Sequence, residues 1–157
     1  MTPGKHYLSS DEIRPLAARS DLWGALLVLH CWGVIALALA LFSLWPNLLT
    51  AAVAIMIIGS RQLGFAILMH EAAHNALFRS RALNQFVGDW LCGRPILADL
   101  AEYRQYHLQH HRHTQSEDDP DLRLSKPFPT TRASLRRKLI RDITGQTGLK
   151  QRAQQIM

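Results

Sequence analysis

The chain has 157 residues, 48% of them hydrophobic, and carries 18 basic and 12 acidic side chains. The apolar residues are concentrated in residues 22–69 and nearly all the charge lies outside them, which argues against a single soluble core and predicts a membrane protein. Because 14 basic residues follow His70, we expect contact with anionic lipid headgroups and no nucleic-acid partner. Cys31 and Cys92 have no spacing that could support a disulfide framework or a cysteine-ligated metal centre.

The first predicted membrane span runs over residues 22–45. It follows a polar segment, residues 1–21, that we expect to be cytoplasmic. Of the 24 residues in the span, 20 are hydrophobic and none is charged, and a bilayer core of about 30 Å needs about 20 helical residues. Trp23 and Trp45 lie where aromatic side chains suit the two membrane interfaces. A cleaved signal peptide ending near residues 36–38 is the alternative, but the apolar run is too long and its leader too acidic.

The second predicted span, residues 48–69, follows a short uncharged turn. It has 16 hydrophobic residues among 22 and is interrupted by Arg61 and Gln62. A charge inside a span is costly and usually faces protein or water, so we expect the helix to leave the bilayer as it approaches His70. Basic residues flank the open ends of the two spans and none occupies the turn. The two spans are therefore predicted to form a transmembrane helical hairpin with both open ends at the cytoplasm.

The rest of the chain is predicted to lie at or near the membrane surface. Residues 79–101 mix apolar and charged residues, which predicts an interfacial or re-entrant stretch. Residues 117–130 contain four acids and three prolines and are predicted to be loop. From Leu135 a basic amphipathic helix is predicted to lie on an anionic membrane surface. The predicted fold is an all-α membrane protein, with a two-span hairpin followed by interfacial and cytoplasmic helices over residues 70–157.

The first histidine cluster is His70-Glu71-Ala72-Ala73-His74. Residues four apart lie on one helical face, so both imidazoles can approach one metal ion. The same residues match the H-E-x-x-H signature of zinc proteases, in which the glutamate is the general base. Glu71, like the acidic run at residues 117–121, is either a partner that orients imidazoles or a charged loop residue.

The second cluster is His107-Leu108-Gln109-His110-His111. At 100° per residue, its three imidazoles fall within about 100° of one helical face, and neutral imidazole suits iron, zinc and copper. His113 points about 120° away from His107 and is not expected to be a ligand. His6 and His30 are also excluded, and His30 is expected to form a hydrogen bond inside the helical bundle.

With these clusters the chain resembles the membrane fatty acid desaturase family, the histidine-box non-haem di-iron enzymes. The resemblance implies that two iron ions at the cytoplasmic face use O2 as co-substrate to remove two hydrogens from a lipid acyl chain. It also implies an external electron donor of the ferredoxin or cytochrome type. The implied metal ligands are His70, His74, His107, His110 and His111, with no catalytic residue beyond them. The residues that carry the resemblance are Arg61-Gln62, the two clusters, Tyr103-Arg104 and Asp119-Pro120-Asp121.

The sequence departs from the family pattern in one respect. The family carries a third H-x-x-H-H box after two further spans, whereas this sequence ends at Met157. Two irons need more imidazoles than the five in the boxes. We therefore expect residues 70–157 to be part of an incomplete desaturase domain and the chain to be the N-terminal portion of a desaturase.

Three alternatives stay open at this point. The first is a hydroxylase or ketolase of the same superfamily, although Asp119-Pro120-Asp121 favours a desaturase by resemblance. The second is a non-catalytic two-span membrane remnant. The third is a membrane zinc protease using His70, Glu71 and His74, which leaves the second cluster unexplained.

Overall fold

The computed structural model describes residues 9–156, and every regular element in that range is helical. The predicted all-α class is therefore confirmed, whereas His6 lies outside the described residues. The chain divides into two compact units, one ending at Ile96 and one beginning at Leu97. The first unit contains α1 (Ser10–Leu16), α2 (Asp21–Leu44), α3 (Leu48–Ala73), α4 (Arg81–Phe86), a π-helical segment (Val87–Gly93) and a 3-10 turn (Arg94–Ile96). The second contains α5 (Leu100–His113), α6 (Leu122–Ser125), α7 (Arg132–Ile143) and α8 (Gln146–Ile156).

Helices α2 and α3 are the two helices, among the described residues, that are long and apolar enough to cross a membrane. Polar residues cap both at their starts, as is usual where the first amides lack helical partners. The Ser20 hydroxyl accepts a hydrogen bond from the Trp23 amide at 3.4 Å. The Asn47 side-chain oxygen accepts from the amides of Leu49 and Thr50 at 3.0 and 3.1 Å. The predicted turn therefore lies between the end of α2 at Leu44 and the start of α3, where Asn47 is the N-cap residue.

The two helices pack against each other in antiparallel fashion over small and aromatic side chains. The α3 backbone approaches the Cys31 side chain closely at Gly64, where an added Cβ would lie 3.0 Å from the Cys31 sulfur. At the next residue of each helix, the Trp32 and Phe65 rings meet at a centroid distance of 5.1 Å. Large apolar side chains such as Leu37 point away from this contact and stay exposed. Outward-facing apolar surface on helices of this length is typical of membrane spans.

Helix α3 continues beyond the predicted span boundary at residue 69 and ends at Ala73. The first histidine cluster is therefore a continuation of the apolar helix, with His74 as its C-cap residue. Asn75 follows with φ of 55°, a left-handed conformation that Asn tolerates better than most residues. The helix thus stops directly after the second histidine of the cluster.

The segment after His74 is fixed to the start of α2. One carboxylate oxygen of Asp21 accepts hydrogen bonds from the amides of Arg79 and Ser80, at 2.8 and 3.2 Å. At Gly24 an added Cβ would lie 2.4 Å from the Leu77 carbonyl oxygen, so only glycine permits this approach. The end of the first histidine cluster is therefore held by close backbone packing.

The predicted interfacial or re-entrant stretch is helical over residues 81–96. Buried Asn84 fixes the chain that leads into this stretch. Its side chain accepts a hydrogen bond from the Phe78 amide and donates one to the Phe78 carbonyl, at 3.1 and 2.7 Å. The indole nitrogen of Trp32 donates to the Leu91 carbonyl at 3.1 Å, which ties the π-helical segment to α2. The segment is thus part of the first unit, and its depth in a bilayer stays a prediction.

The second unit differs from the sequence predictions at two points. Residues 117–130 were predicted as loop but contain the single helical turn α6. The predicted amphipathic helix begins at Arg132, three residues before Leu135, because Thr131 provides a cap by accepting from the Ser134 amide at 3.2 Å. Its apolar side chains are exposed at Leu135 and Leu139.

Candidate metal centre

The first histidine pair lies in the last turn of α3. The rings of His70 and His74 meet edge to face at a centroid distance of 4.8 Å, and a ring nitrogen of each lies within 4.8 Å of the other. Buried Ala72 and Ala73 anchor the turn, while both imidazoles stay partly exposed. Helical spacing thus places two donors side by side, as the sequence predicts.

Glu71 lies beside this pair. Its carboxylate is 3.3 Å from Nδ1 of His70, and its side chain is 45% exposed. A carboxylate on one ring nitrogen favours metal binding through the other. Of the two interpretations of Glu71, the contact supports the partner that orients an imidazole.

The second histidine pair, His107 and His111, lies on α5. Asp99 starts this helix by accepting hydrogen bonds from the amides of Ala101 and Glu102, at 2.8 and 3.0 Å. The two rings meet edge to face at 4.5 Å, and their Nε2 atoms are 3.0 Å apart. Two nitrogens bound at right angles to one ion, each at about 2.1 Å, are separated by about 3.0 Å. The spacing of the pair is therefore compatible with a shared metal ion.

Tyr103 supports this pair from the preceding turn. Its ring stacks on His107 at a centroid distance of 5.2 Å and an interplanar angle of 8°. Such stacking restricts rotation of the imidazole about its side-chain bonds. The tyrosine of the matching Tyr103-Arg104 motif therefore helps to orient a histidine.

His110, on the same helix, contacts a buried carboxylate. Its Nδ1 lies 2.8 Å from Oδ1 of Asp119, whose side chain is fully buried, and 3.6 Å from a carboxylate oxygen of Asp121. Asp119 also accepts hydrogen bonds from the amides of Gln115 and Asp121, both at 2.8 Å. The loop after α5 is therefore folded around one carboxylate that faces a histidine.

The charges of this contact reinforce each other. The hydrogen bond from His110, followed by those from the two backbone amides, lowers the pKa of Asp119 to about 2 against the opposing effect of burial. The hydrogen bond to Asp119 raises the pKa of His110 above its ordinary value. An ionised Asp119 requires a proton on Nδ1 of His110, which directs Nε2 of that ring to a metal. Asp121 in turn accepts a short hydrogen bond from the Tyr106 hydroxyl.

The described residues therefore include a histidine cluster that could hold a metal ion. Comparison with known proteins assigns the chain that carries it to a family. The family model described as fatty acid desaturase matches residues 43–155, a range that includes both clusters. The chain belongs to the fatty acid desaturase family. Membership in this family indicates an oxidoreductase.

The chain is also similar to one desaturase of known name, over part of that protein's length. The dihydrorhizobitoxine desaturase of Bradyrhizobium elkanii is 30% identical to this desaturase-family chain over 114 residues. The match covers 71% of the chain and 31% of the relative, so the chain spans about a third of that protein's length. No solved structure matches the chain significantly.

The desaturase-family chain places its predicted site residues in two kinds of surroundings. Four of them form two pairs, one in each unit, and His110 is held by Asp119 beside the second pair, with ring centroids 6.2 and 5.7 Å from His107 and His111. The sequence alone does not decide the role of the acidic run at residues 117–121. The structure shows that Asp119 of this run contacts His110. His30, excluded as a ligand, has Nε2 3.4 Å from a guanidinium nitrogen of Arg61, an exposed contact between α2 and α3.

Proposed function

We propose that this chain forms the histidine-ligated part of an integral-membrane desaturase that uses O2 to remove two hydrogens from a lipid acyl chain. The observation that carries the proposal is the pairing of imidazoles at helical spacing in both units of a desaturase-family chain. Two helices fit to cross a bilayer support a substrate that is itself part of the membrane.

The metal we propose is a pair of iron ions held by the five boxed histidines. The donor set fits iron, because it consists of several imidazoles and contains no cysteine. Such a set can bind iron and leave positions open for other ligands. When bound, iron would activate dioxygen and so allow attack on an unactivated C–H bond. The contribution of the chain is to hold Nδ1 of His110 on Asp119 and the ring of His107 on Tyr103, so that each imidazole has one orientation.

The placement of the site follows from the same proposal. The first histidine pair ends an apolar helix, so a membrane-spanning α3 would hold the metal just outside the hydrocarbon layer, on the cytoplasmic side by the distribution of basic residues. An acyl chain could then reach the metal without leaving the bilayer. Electrons would come from an external ferredoxin- or cytochrome-type donor.

The substrate is open to a second candidate on one observation. The relative's name gives dihydrorhizobitoxine as the compound that it desaturates, so family membership alone does not select a fatty acyl group. The membrane helices favour the acyl chain. A test must therefore offer both kinds of substrate.

The experiment is expression of the full reading frame in a host that lacks desaturases, followed by lipid analysis and metal analysis. We expect new double bonds in membrane acyl chains, O2 dependence, and iron in the purified protein. Desaturation of dihydrorhizobitoxine without change in the lipids would replace the acyl substrate. Hydroxylated or keto lipids would identify a hydroxylase or ketolase. A protein with one zinc and no iron would support a protease instead.

A further inference from the structure

A basic groove in the second unit lies outside both histidine clusters. From residue 122 onward the chain has nine basic side chains and one acidic residue, Asp142. Three of the nine, Arg123, Lys138 and Arg141, line one groove of about 270 Å³ between the segment 123–130 and α7. Asp142 pairs with Lys138 at 2.5 Å and neutralises part of this charge, which leaves the groove with a net positive charge.

The groove combines this charge with hydroxyl and apolar groups. Thr130 and Ser134 supply hydroxyls, while Leu124, Phe128 and Leu135 supply apolar walls. Basic groups and hydroxyls together bind phosphate oxygens through charge-assisted hydrogen bonds. Apolar walls beside them suit a ligand that carries hydrocarbon next to its phosphate. The chemistry of the lining therefore fits an anionic amphiphile.

An apolar stripe runs along α7 next to the groove. The groove is lined by Ser134, Lys138 and Arg141, which share one helical face, and the stripe occupies the neighbouring face. Its members are spaced four residues apart and are exposed to 45, 50 and 85% of their full area: Leu135, Leu139 and Ile143. Leu135 belongs to both features. When the stripe of an interfacial helix enters the boundary between headgroups and acyl chains, the neighbouring face lies at headgroup depth.

We infer that α7 docks on the bilayer with this stripe inserted and that the groove binds the phosphate of an anionic phospholipid. The excess of nine basic residues over one acid selects an anionic lipid surface as the occupant. The two candidate spans of the same chain would keep α7 close to such a surface when they cross a bilayer. The inference is independent of the proposed reaction, because none of the groove residues is a boxed histidine.

The test measures the depth of α7 in lipid with a spin label. The chain carrying Leu139→Cys is labelled and reconstituted in nanodiscs of phosphatidylcholine alone or mixed with phosphatidylglycerol. Cys31 and Cys92 are 5 and 0% exposed, and labelling of the unsubstituted chain measures any background. Collisions with membrane-soluble oxygen and a water-soluble nickel chelate report the surroundings of the label. We expect anionic discs to raise the oxygen signal and lower the nickel signal relative to neutral discs.

Two charge variants separate the groove from a diffuse basic surface. Arg123→Gln with Arg141→Gln removes two charges from the groove. The docking equilibrium should fall by more than about 25-fold, because phosphate bonds are lost in addition to the general attraction of about fivefold per basic residue. Arg136→Gln with Arg137→Gln removes two charges from α7 outside the groove and should lose no more than that general attraction, about 25-fold. If the Arg123→Gln/Arg141→Gln variant does not fold, as judged by circular dichroism, Arg141→Gln alone should lower docking by more than about fivefold and by more than Arg137→Gln alone.

Three outcomes would overturn the inference. Equal losses in the two double variants would show a diffuse basic surface without a phosphate site. A label that stays exposed to nickel in anionic discs would show that α7 does not dock. A label that is shielded from nickel to the same extent in anionic discs, in neutral discs and in the groove variant would show that protein covers the stripe. That protein would be this chain or a second copy.

Discussion

The two histidine pairs have the same helical spacing but are held in different ways. His70 and His74 depend on backbone packing, since the chain that follows them is fixed against α2 at Gly24 and by the Asp21 carboxylate. The pair on α5 stands among side-chain contacts to Tyr103, and its neighbour His110 is held by Asp119. The spacing brings donors together in both cases, but a rigid site also needs a support, and an apolar helix and a polar helix provide different supports.

The largest expected effect comes from removing one imidazole of either histidine cluster. His74→Ala should abolish formation of unsaturated lipid by the full-length protein, because the proposed iron site would lose one of its ligands. The protein should still insert in the membrane, since His74 lies after the last residue of α3. Lipid analysis of membranes containing equal amounts of each protein is the measurement.

The corresponding change in the second cluster is His110→Ala, with the same expected loss. His113→Ala is the matched control, because His113 belongs to the same helix and is not an expected ligand. Activity that survives either His74→Ala or His110→Ala removes that residue from the ligand set. Loss of activity in the control would instead show that α5 tolerates no substitution.

A smaller effect is expected from the carboxylate that faces His110. Asp119→Asn keeps the size of the side chain but removes the charge that holds the proton on Nδ1, and metal affinity should fall 10- to 100-fold. Titration of the purified chain with Fe²⁺ without oxygen, or with Co²⁺ followed by its absorption, measures the change. The control is Asp118→Asn, an exposed acid next to Asp119 in sequence. Equal affinity in the wild type and Asp119→Asn would refute the positioning role.

Sequence reasoning found the helices and the pairs but not their supports. The apolar runs locate α2 and α3 because length and hydrophobicity alone decide a membrane span, and residues four apart on a helix are neighbours in any context. Contacts that cross from a helix to a loop are not encoded by spacing. The hydrogen bond between His110 and Asp119 depends on how residues 114–118 turn, and the signal available was only an acidic run.

The helix boundaries show the same limit. The predicted end of the span at residue 69 follows the last apolar residue, whereas the helix continues to Ala73 because its final turn is buried by the first unit. The need for glycine at position 24 is also invisible in the sequence. It depends on the carbonyl of Leu77, which is 53 residues away along the chain.

Packing around the first pair can be tested at that glycine. Gly24→Ala places a methyl group 2.4 Å from a backbone oxygen, which cannot move as a flexible side chain could, and should destabilise the first unit by about 2 kcal/mol. Gly33→Ala is matched on the same helix, where an added Cβ meets nothing within 4 Å. It should be neutral or stabilise the helix by up to about 1 kcal/mol. Thermal unfolding in detergent compares the two variants.

The same substitution tests whether the two pairs are held independently of each other. Hydrogen exchange after Gly24→Ala should quicken around residues 74–80 and leave α5 unchanged, because only the first pair is held by this contact. Quickening of both regions to the same extent would mean that the second pair shares the support.

The smallest expected effect is a pH dependence confined to the side-chain contacts of the second unit. Asp142 accepts hydrogen bonds from Lys138 and from the Thr147 hydroxyl, at 2.5 and 2.6 Å. The bond from Lys138, followed by that from Thr147, lowers the pKa of Asp142. A lowered carboxylate pKa adds stability above its unfolded value, near 3.9, that is lost as the pH falls through the folded value. Hydrogen exchange at residues 142–150 should therefore quicken, relative to its intrinsic rate, below about pH 4.

Asp142→Asn should remove this acid response. The contact is exposed, so the effect should also weaken in high salt. An acid response that persists in Asp142→Asn would assign it to other carboxylates of the unit. Asp119 is the next such carboxylate, because its pKa is lowered to about 2. The stability that its charge contributes is lost as the pH falls from the ordinary aspartate pKa toward that value.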